Sequence, residues 1–322
     1  MQLLGNLDCE ARWAGVALPD AVLRRISLYA TLFAACAPDD GDPAPHQIWV
    51  PAPVDPARLL AHPRWTPPTV RVRPSDLTVA RDCAPALAWA DPAAKLANDR
   101  SHTLAIAEAL GVALPGARVV GSLAELDAHL AGFAGRAWIC KARWTAAGRD
   151  RARGTGATVD GELRVRLGRM LARFGPLVFE PWLDRVADYG VCGEVGAGDV
   201  TVAEPHQMIT DPRGGFLGVA LDAVDPAIAA PLRQLAHAAA ARVAATGYRG
   251  PFAIDAFVYR DPCTAALHLH PLCELNARYS FGWIARALAR RLGIRRLGFD
   301  PPPPGATVLI APGDDRVTAW CA

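Results

Sequence analysis

The chain has 322 residues, 52% of them hydrophobic, and 34 Lys+Arg against 32 Asp+Glu leave a net charge of only +2. This is enough apolar material for a large core in two domains or one elaborated one, and the charge balance gives no support to a general nucleic-acid or membrane-surface role. The start, MQLLGNLDCEARW, lacks a basic segment ahead of a long apolar run, and the most apolar stretch, YATLFAACA, is too short to span a bilayer, so a soluble, cytoplasmic protein is expected.

Residues 1–95 are proline-rich, with turns at PDDGDPAPH and PRWTPPTV separating short apolar segments at 47–50 and 69–72; a small α/β N-terminal domain is expected. Beyond residue 98 the pattern sharpens. Asn98 or Asp99 can cap a helix carrying Leu104, Ala107 and Leu110, with Gly111 behind it. Ser122 and Glu125 form a capping box ahead of Leu123, Leu126 and Leu130. AWICKA reads as a strand, followed by the glycine- and arginine-rich loop AAGRDRARGTG. A helix with Leu163, Leu167, Leu171 and Phe174 on one side precedes a second strand, PLVFEPW. YGVCGEV and DVTVAE, joined around Gly196 and Gly198, read as an antiparallel hairpin. A helix bearing Leu232, Leu235, Ala239 and Val243 leads to the strands PFAIDAFVY and LHLHPLCELN and to a helix over 283–292. After the stiff connector DPPPPG comes one last strand, 306–310. Because hairpins recur among alternating strands and helices, the expected class is α+β, or mixed α/β, rather than a doubly wound parallel sheet.

Eight cysteines scattered singly, with no CxxC pair, favour reduced thiols. Lysine occurs only at Lys95 and Lys141, so 32 of the 34 basic residues are arginine. A GC-rich coding bias explains the excess of arginine. A position that keeps lysine against that bias points to a need for a compact ammonium rather than a planar fork.

The segment LHLHPLCELNARYSFG, 267–282, carries the densest chemistry. Strand alternation places His268, His270, Leu272, Glu274 and Asn276 on one side and Leu269, Pro271, Cys273 and Leu275 on the other. Four-ligand structural zinc is thereby disfavoured; two His and one Glu remain a candidate catalytic metal triad, and the histidines have a plainer reading as polar positions on a half-exposed strand. On PFAIDAFVY, Asp255 faces away from Phe252, Ile254, Ala256 and Val258. With Glu274 and Asn276 it makes a hard-oxygen set suited to Mg²⁺ carrying phosphates, whereas a surface ion pair with arginine accounts for Asp255 alone.

GYRGPFAIDAFVYRD followed by ELNARYSFG resembles the end of an ATP-grasp domain. Upstream and in the same order, NDRSHTLAIAEALGVALP is similar to that family's opening helix, WICKARWTAAGRDR to its lysine strand and phosphate loop, and VFEPWLDRVADYG to its interdomain hinge. The resemblance covers about residues 91 to 293. It implies a pre-ATP-grasp domain over 1–95, two α+β subdomains clasping ATP over 96–181 and 182–300, and a C-terminal extension over 301–322.

The activity implied by the resemblance is that of an ADP-forming carboxylate–amine ligase working through an acyl phosphate on an amino acid or small peptide. ATP and two Mg²⁺ ions are implied, with Mn²⁺ able to substitute. Lys141 is then expected at the α-phosphate and purine edge, Glu180 at the adenine amino group, and the backbone of Pro181, Trp182 and Leu183 along the purine. Asp184 or Asp188 would hold the ribose, and Arg100 or Lys95 the phosphates beneath a lid spanning Gly148 to Gly156. Asp255, Glu274 and Asn276 would hold the metal, and Arg278 would lie beside the transferring phosphoryl group, making it and Lys141 the catalytic residues. His206, Arg278, Tyr279 and Ser280 are the expected substrate lining. The partners are small-molecule carboxylates and amines, with no nucleic acid or membrane, and a homodimer is compatible. Rival readings are a kinase on the same scaffold, a nucleotide-binding module without turnover, and a zinc hydrolase.

Overall fold

A computed structural model describes the chain except for residues 1, 6, 38–45, 74–90, 134, 146–149 and 212–213. Strands β1 (Gln2–Leu4), β2 (Gln47–Val50) and β3 (Thr69–Val72) form a parallel sheet in that order. Helices α1 (Cys9–Trp13) and α2 (Asp20–Ala30) lie between its first two strands in sequence, and α2 runs on into a 3-10 turn over Thr31–Cys36.

Two short helices, α3 (Pro92–Ala97) and α4 (Arg100–Ala109), come next. Asp99 caps α4, its Oδ1 accepting from the Ser101 amide at 2.8 Å, and Gly111 leaves the helix at φ +70°, where a side chain would be strained. Strand β4 (Arg118–Val120), helix α5 (Leu123–Leu130), strands β5 (Ala137–Lys141) and β6 (Arg151–Thr155), helix α6 (Gly161–Phe174) and strand β7 (Leu177–Pro181) form the first α+β unit. Its antiparallel sheet runs β4-β7-β5-β6. Trp138, Cys140, Ala152, Leu177 and Phe179 point from one face into a core shared with Leu126, Leu130, Leu167 and Met170 of α5 and α6.

The second unit is an antiparallel sheet. It contains β8 (Asp184–Val195), β9 (Val200–Val202), β10 (His206–Thr210), β11 (Phe216–Ala220), β12 (Gly250–Arg260), β13 (Leu267–Asn276), β14 (Arg296–Gly298), β15 (Thr307–Ile310) and β16 (Ala319–Cys321). The order is β13-β12-β8-β10-β11-β14-β16-β15, with β9 pairing β8. Helix α7 (Pro226–Ala245) and α4 cover one face, burying Val191, Ile254, Ala256 and Leu275 beneath Ile106, Leu232, Ala236 and Val243. Helix α8 (Phe281–Leu292) ends at Gly293, φ +79°. A third core joins Leu3, Phe33, Ile48 and Val50 of the N-terminal region to Ile284 and Leu288 of α8 and to Leu297, Leu309 and Ile310. The class is mixed α and β with hairpins, as the sequence implies. Sequence reading expects one strand after DPPPPG, and the structure has β15 and β16, with Trp320 buried where Gly298 leaves room for its ring. No helix among the described residues is long and apolar enough to cross a membrane.

Candidate nucleotide and metal site

In the smaller sheet, the face opposite the core carries the site. Paired residues of antiparallel strands share a face, so the registers Lys141–Arg151, Ile139–Arg153 and Ile139–Glu180 place Lys141, Arg151, Arg153 and Glu180 together. Lys141 Nζ donates to Glu180 Oε2 at 2.5 Å, with both side chains largely buried. Burial alone pushes the lysine down and the carboxylate up. The opposite charge outweighs it in each case, so Lys141 is held above its ordinary range and Glu180 below. Arg153 stacks over Trp182 at 3.7 Å. The second half of the predicted phosphate loop is strand β6, because Arg151 to Thr155 pair with β5. Gly148 and Arg149 lie outside the described residues.

In the larger sheet, Asp255 pairs with Glu274 across β12 and β13 and with Gly190 of β8, and Asn276 Nδ2 donates to Asp255 Oδ2 at 3.4 Å. The Asp255 carboxyl is pushed up to about 7 by burial and then by the Glu274 charge. Two oxygen acids that resist ionising together, with an amide oxygen beside them, suit a hard divalent cation. Glu274 Oε1 also accepts from Arg100 Nη2 at 2.7 Å. Arg100 bonds in addition to the Ala142 carbonyl, and to the Thr145 hydroxyl at 2.9 Å and carbonyl at 2.5 Å, and so ties α4 to the root of the phosphate loop. Lys95 lies instead over the Trp144 ring at 4.8 Å. Asp184 is exposed at the start of β8, whereas buried Asp188 accepts from Arg185 and from Thr210, each at 3.1 Å, on the face of Asp255.

Strict alternation fails on β13. The register jumps so that Pro271, Leu272 and Cys273 together oppose Ala256. Leu272 thereby joins Leu275 in the core, and Cys273 turns toward the site, its Sγ 3.6 Å from Arg185 Nη2. The zinc alternative finds no support: His268 is exposed, His270 is buried against Phe257, and among the described residues no three His, Cys, Asp or Glu side chains converge closely enough to hold an ion.

The two sheets bring their charges to one place. Glu180 feels Lys141, His270 and Arg100, and Arg185 feels Cys273, Asp188 and Glu180. Burial and then the like charges of Arg153, Arg185 and Arg100 lower Arg151. Such a concentration of guanidinium groups favours a polyanion. Arg278 Nη2 donates to Asn276 Oδ1 at 3.0 Å. His206 is buried against Gly190 and Gly282, where a Cβ would overlap its ring, and burial depresses it to about 3. Its Nδ1 has no hydrogen-bond partner among the described residues. Ser280 lies at the start of α8 with its Oγ 3.9 Å from Cys192 Sγ, and Tyr279 packs edge-on to Trp283 and beside Phe33. Arg185 and Glu10, both in the charge network, carry no sequence signal; each is recruited by strand pairing or by a contact far along the chain.

The biotin carboxylase of Campylobacter jejuni, solved as a complex with a β,γ-ATP ligand, matches with a TM-score of 0.50 at 13% identity, over 71% of this chain and 63% of that one. The chain has the ATP-grasp fold. Weaker matches are the Aspergillus clavatus N5-carboxyaminoimidazole synthase bound to ADP (TM-score 0.49, 13% identity, 73% of this chain and 70% of that one) and the D-cycloserine synthetase DcsG (0.42, 20%, 62% and 71%). No family model matches the sequence, and no curated protein matches it. At these identities the likeness establishes the ATP-grasp architecture and nothing finer.

Proposed function

We propose that this protein is an ADP-forming ligase that activates a small carboxylate as an acyl phosphate and passes it to an amine, an amino acid or small peptide being the substrate class. The observation that carries the reading is the register pair Asp255–Glu274, with Asn276, beside a cluster of Lys141, Arg100, Arg151 and Arg185. Phosphoryl transfer needs positioning and charge neutralisation more than covalent help, and this arrangement supplies both.

In this reading Lys141 and Glu180 receive the base and α-phosphate, Trp182 and Leu183 flank the purine, and Asp184 or Asp188 takes the ribose. Arg100 and Arg151 meet the outer phosphates. Asp255, Glu274 and Asn276 would hold magnesium, which when bound would supply charge neutralisation for the phosphates. Arg278 stands beside the group in transfer, where a guanidinium opposes developing negative charge. The substrate side is lined by His206, Tyr279 and Ser280, and the neutral His206 offers a hydrogen bond without attracting a second anion.

The test is a screen of amino acids and dipeptides with MgATP and hydroxylamine, reading hydroxamate and ADP together. Hydroxamate formed in step with ADP supports the ligase. ADP release without any hydroxamate would make the protein a kinase instead, and nucleotide binding with no ADP release would make it a binding module.

A further inference from the structure

The deepest ion pair of the candidate site crosses from one end of the chain to the other. Glu10, on α1, is 4% exposed, and its Oε1 lies 2.6 Å from both Nε and Nη2 of Arg278. Its other oxygen accepts from Cys9 Sγ at 3.1 Å; that thiol is buried and raised by burial, hence a protonated donor. Arg278 is further held by Asn276 Oδ1 at 3.0 Å and by the Tyr279 carbonyl at 3.3 Å. With five N–H groups in a rigid fork, an arginine fixed on these sides keeps one Nη1 N–H for a ligand and loses its freedom to swing. Asn276 and Tyr279 belong to the same strand end as Arg278 and move with it; among the described residues, Glu10 is the hydrogen-bond partner that locates the guanidinium against another part of the fold.

We infer that Glu10 is a positioning residue for Arg278, so that the N-terminal region completes the phosphoryl-transfer site. This rests on the proposed place of Arg278 beside the transferring phosphoryl group. Glu10 holds the guanidinium in the geometry that a trigonal, negatively charged phosphoryl group requires, and its own charge keeps the buried cation compensated. A glutamine retains the shape and one acceptor but not the charge.

The experiment uses the full chain and two probes, MgADP alone and MgADP with fluoroaluminate, a stand-in for the phosphoryl group in transfer, each titrated calorimetrically. Glu10→Gln should leave MgADP affinity within about twofold of wild type and weaken the fluoroaluminate complex roughly tenfold or more. Glu10→Asp, which keeps the charge, should recover part of that loss, and thermal unfolding identifies any variant that has lost its fold. In an Arg278→Met background, Glu10→Gln should weaken the fluoroaluminate complex no further, because a residue acting through Arg278 has nothing left to act on. Equal trapping in wild type and Glu10→Gln, or a full additional loss in the Arg278→Met background, overturns the inference while leaving the ligase reading intact. Wild-type protein that binds no MgADP overturns both.

Discussion

Replacing Lys141 by methionine separates what the site contributes to stability from what it contributes to binding. The Lys141 and Glu180 side chains are 15% and 14% exposed and 2.5 Å apart, so the substitution leaves a carboxylate in an enclosed place without its main counter-charge. Breaking one half of a buried pair costs ~3–5 kcal/mol. Arg100 still acts on Glu180, which brings the expected loss nearer to ~2–3 kcal/mol. Changing both residues, Lys141→Met with Glu180→Leu, replaces the pair by apolar bulk and should return stability to within about 1 kcal/mol of wild type. Affinity should not return with it. A charge-assisted hydrogen bond contributes ~1.5–3 kcal/mol, so both variants should bind MgADP roughly 10- to 100-fold more weakly. Urea unfolding midpoints and calorimetric titration with MgADP measure the two quantities. Wild-type affinity in Lys141→Met, or affinity restored in the double variant, would refute a nucleotide role for this lysine and leave it a structural pair.

Arg100→Met should move two affinities in opposite directions: Mn²⁺ binding without nucleotide, read by electron paramagnetic resonance, should tighten because Glu274 loses the guanidinium 2.7 Å away, while MgADP binding weakens. Movement of both in the same direction would show that Arg100 and the cation do not compete. His206 is depressed from 6.5 to about 3, so its neutral form belongs to the fold; its contribution is full above pH 6.5 and lost as pH falls toward 3, at the limit on the order of 5 kcal/mol. The difference in unfolding free energy between wild type and His206→Asn should therefore shrink steadily across that window, and a pH-independent difference would count against the burial argument. Gly154→Ala should cost ~1–3 kcal/mol in a urea titration, because a Cβ there would lie 2.1 Å from the Trp138 ring; a neutral result would mean that β6 yields.

What was legible in the sequence was what local rules determine. Asp99 caps α4, and Ser122 Oγ accepts from the Glu125 amide at 3.1 Å as the capping box requires, although the Glu125 carboxylate reaches back to the Gly121 amide instead of that of Ser122. Period-two alternation correctly put Asp255, Glu274 and Asn276 on a common face, because the register between β12 and β13 is regular at that end. It failed at Cys273, the residue next to Glu274, since a bulge is a property of two strands and leaves no trace in either alone. Strands β14 and β16 are three residues each, too short for a periodicity to show. Glu10 sits in an unremarkable MQLLGNLDCEAR stretch, and only the packing of the N-terminal region, 268 residues before Arg278 in sequence, gives it a partner.

Four cations of the site share one pattern: each already has an opposite charge from the protein. Lys141 is matched by Glu180, Arg100 by Glu274, Arg185 by Asp188 and Arg278 by Glu10. Two of these pairs, Arg100–Glu274 and Arg278–Glu10, join different parts of the fold, so they locate helix α4 and the N-terminal region against the end of β13. A triphosphate and its cation carry the same two kinds of charge and can exchange partners with Arg100 and Glu274 without leaving either charge bare. Glu180 and Glu10 have no such exchange available, because they are too deeply placed for solvent to compensate them. Of these pairs, Arg100–Glu274 trades partners with the ligand, whereas Lys141–Glu180 and Arg278–Glu10 hold a cation in place for it. Substitutions of Arg100 should for that reason be felt in metal and nucleotide affinity, and substitutions of Glu10 in the recognition of the group being transferred.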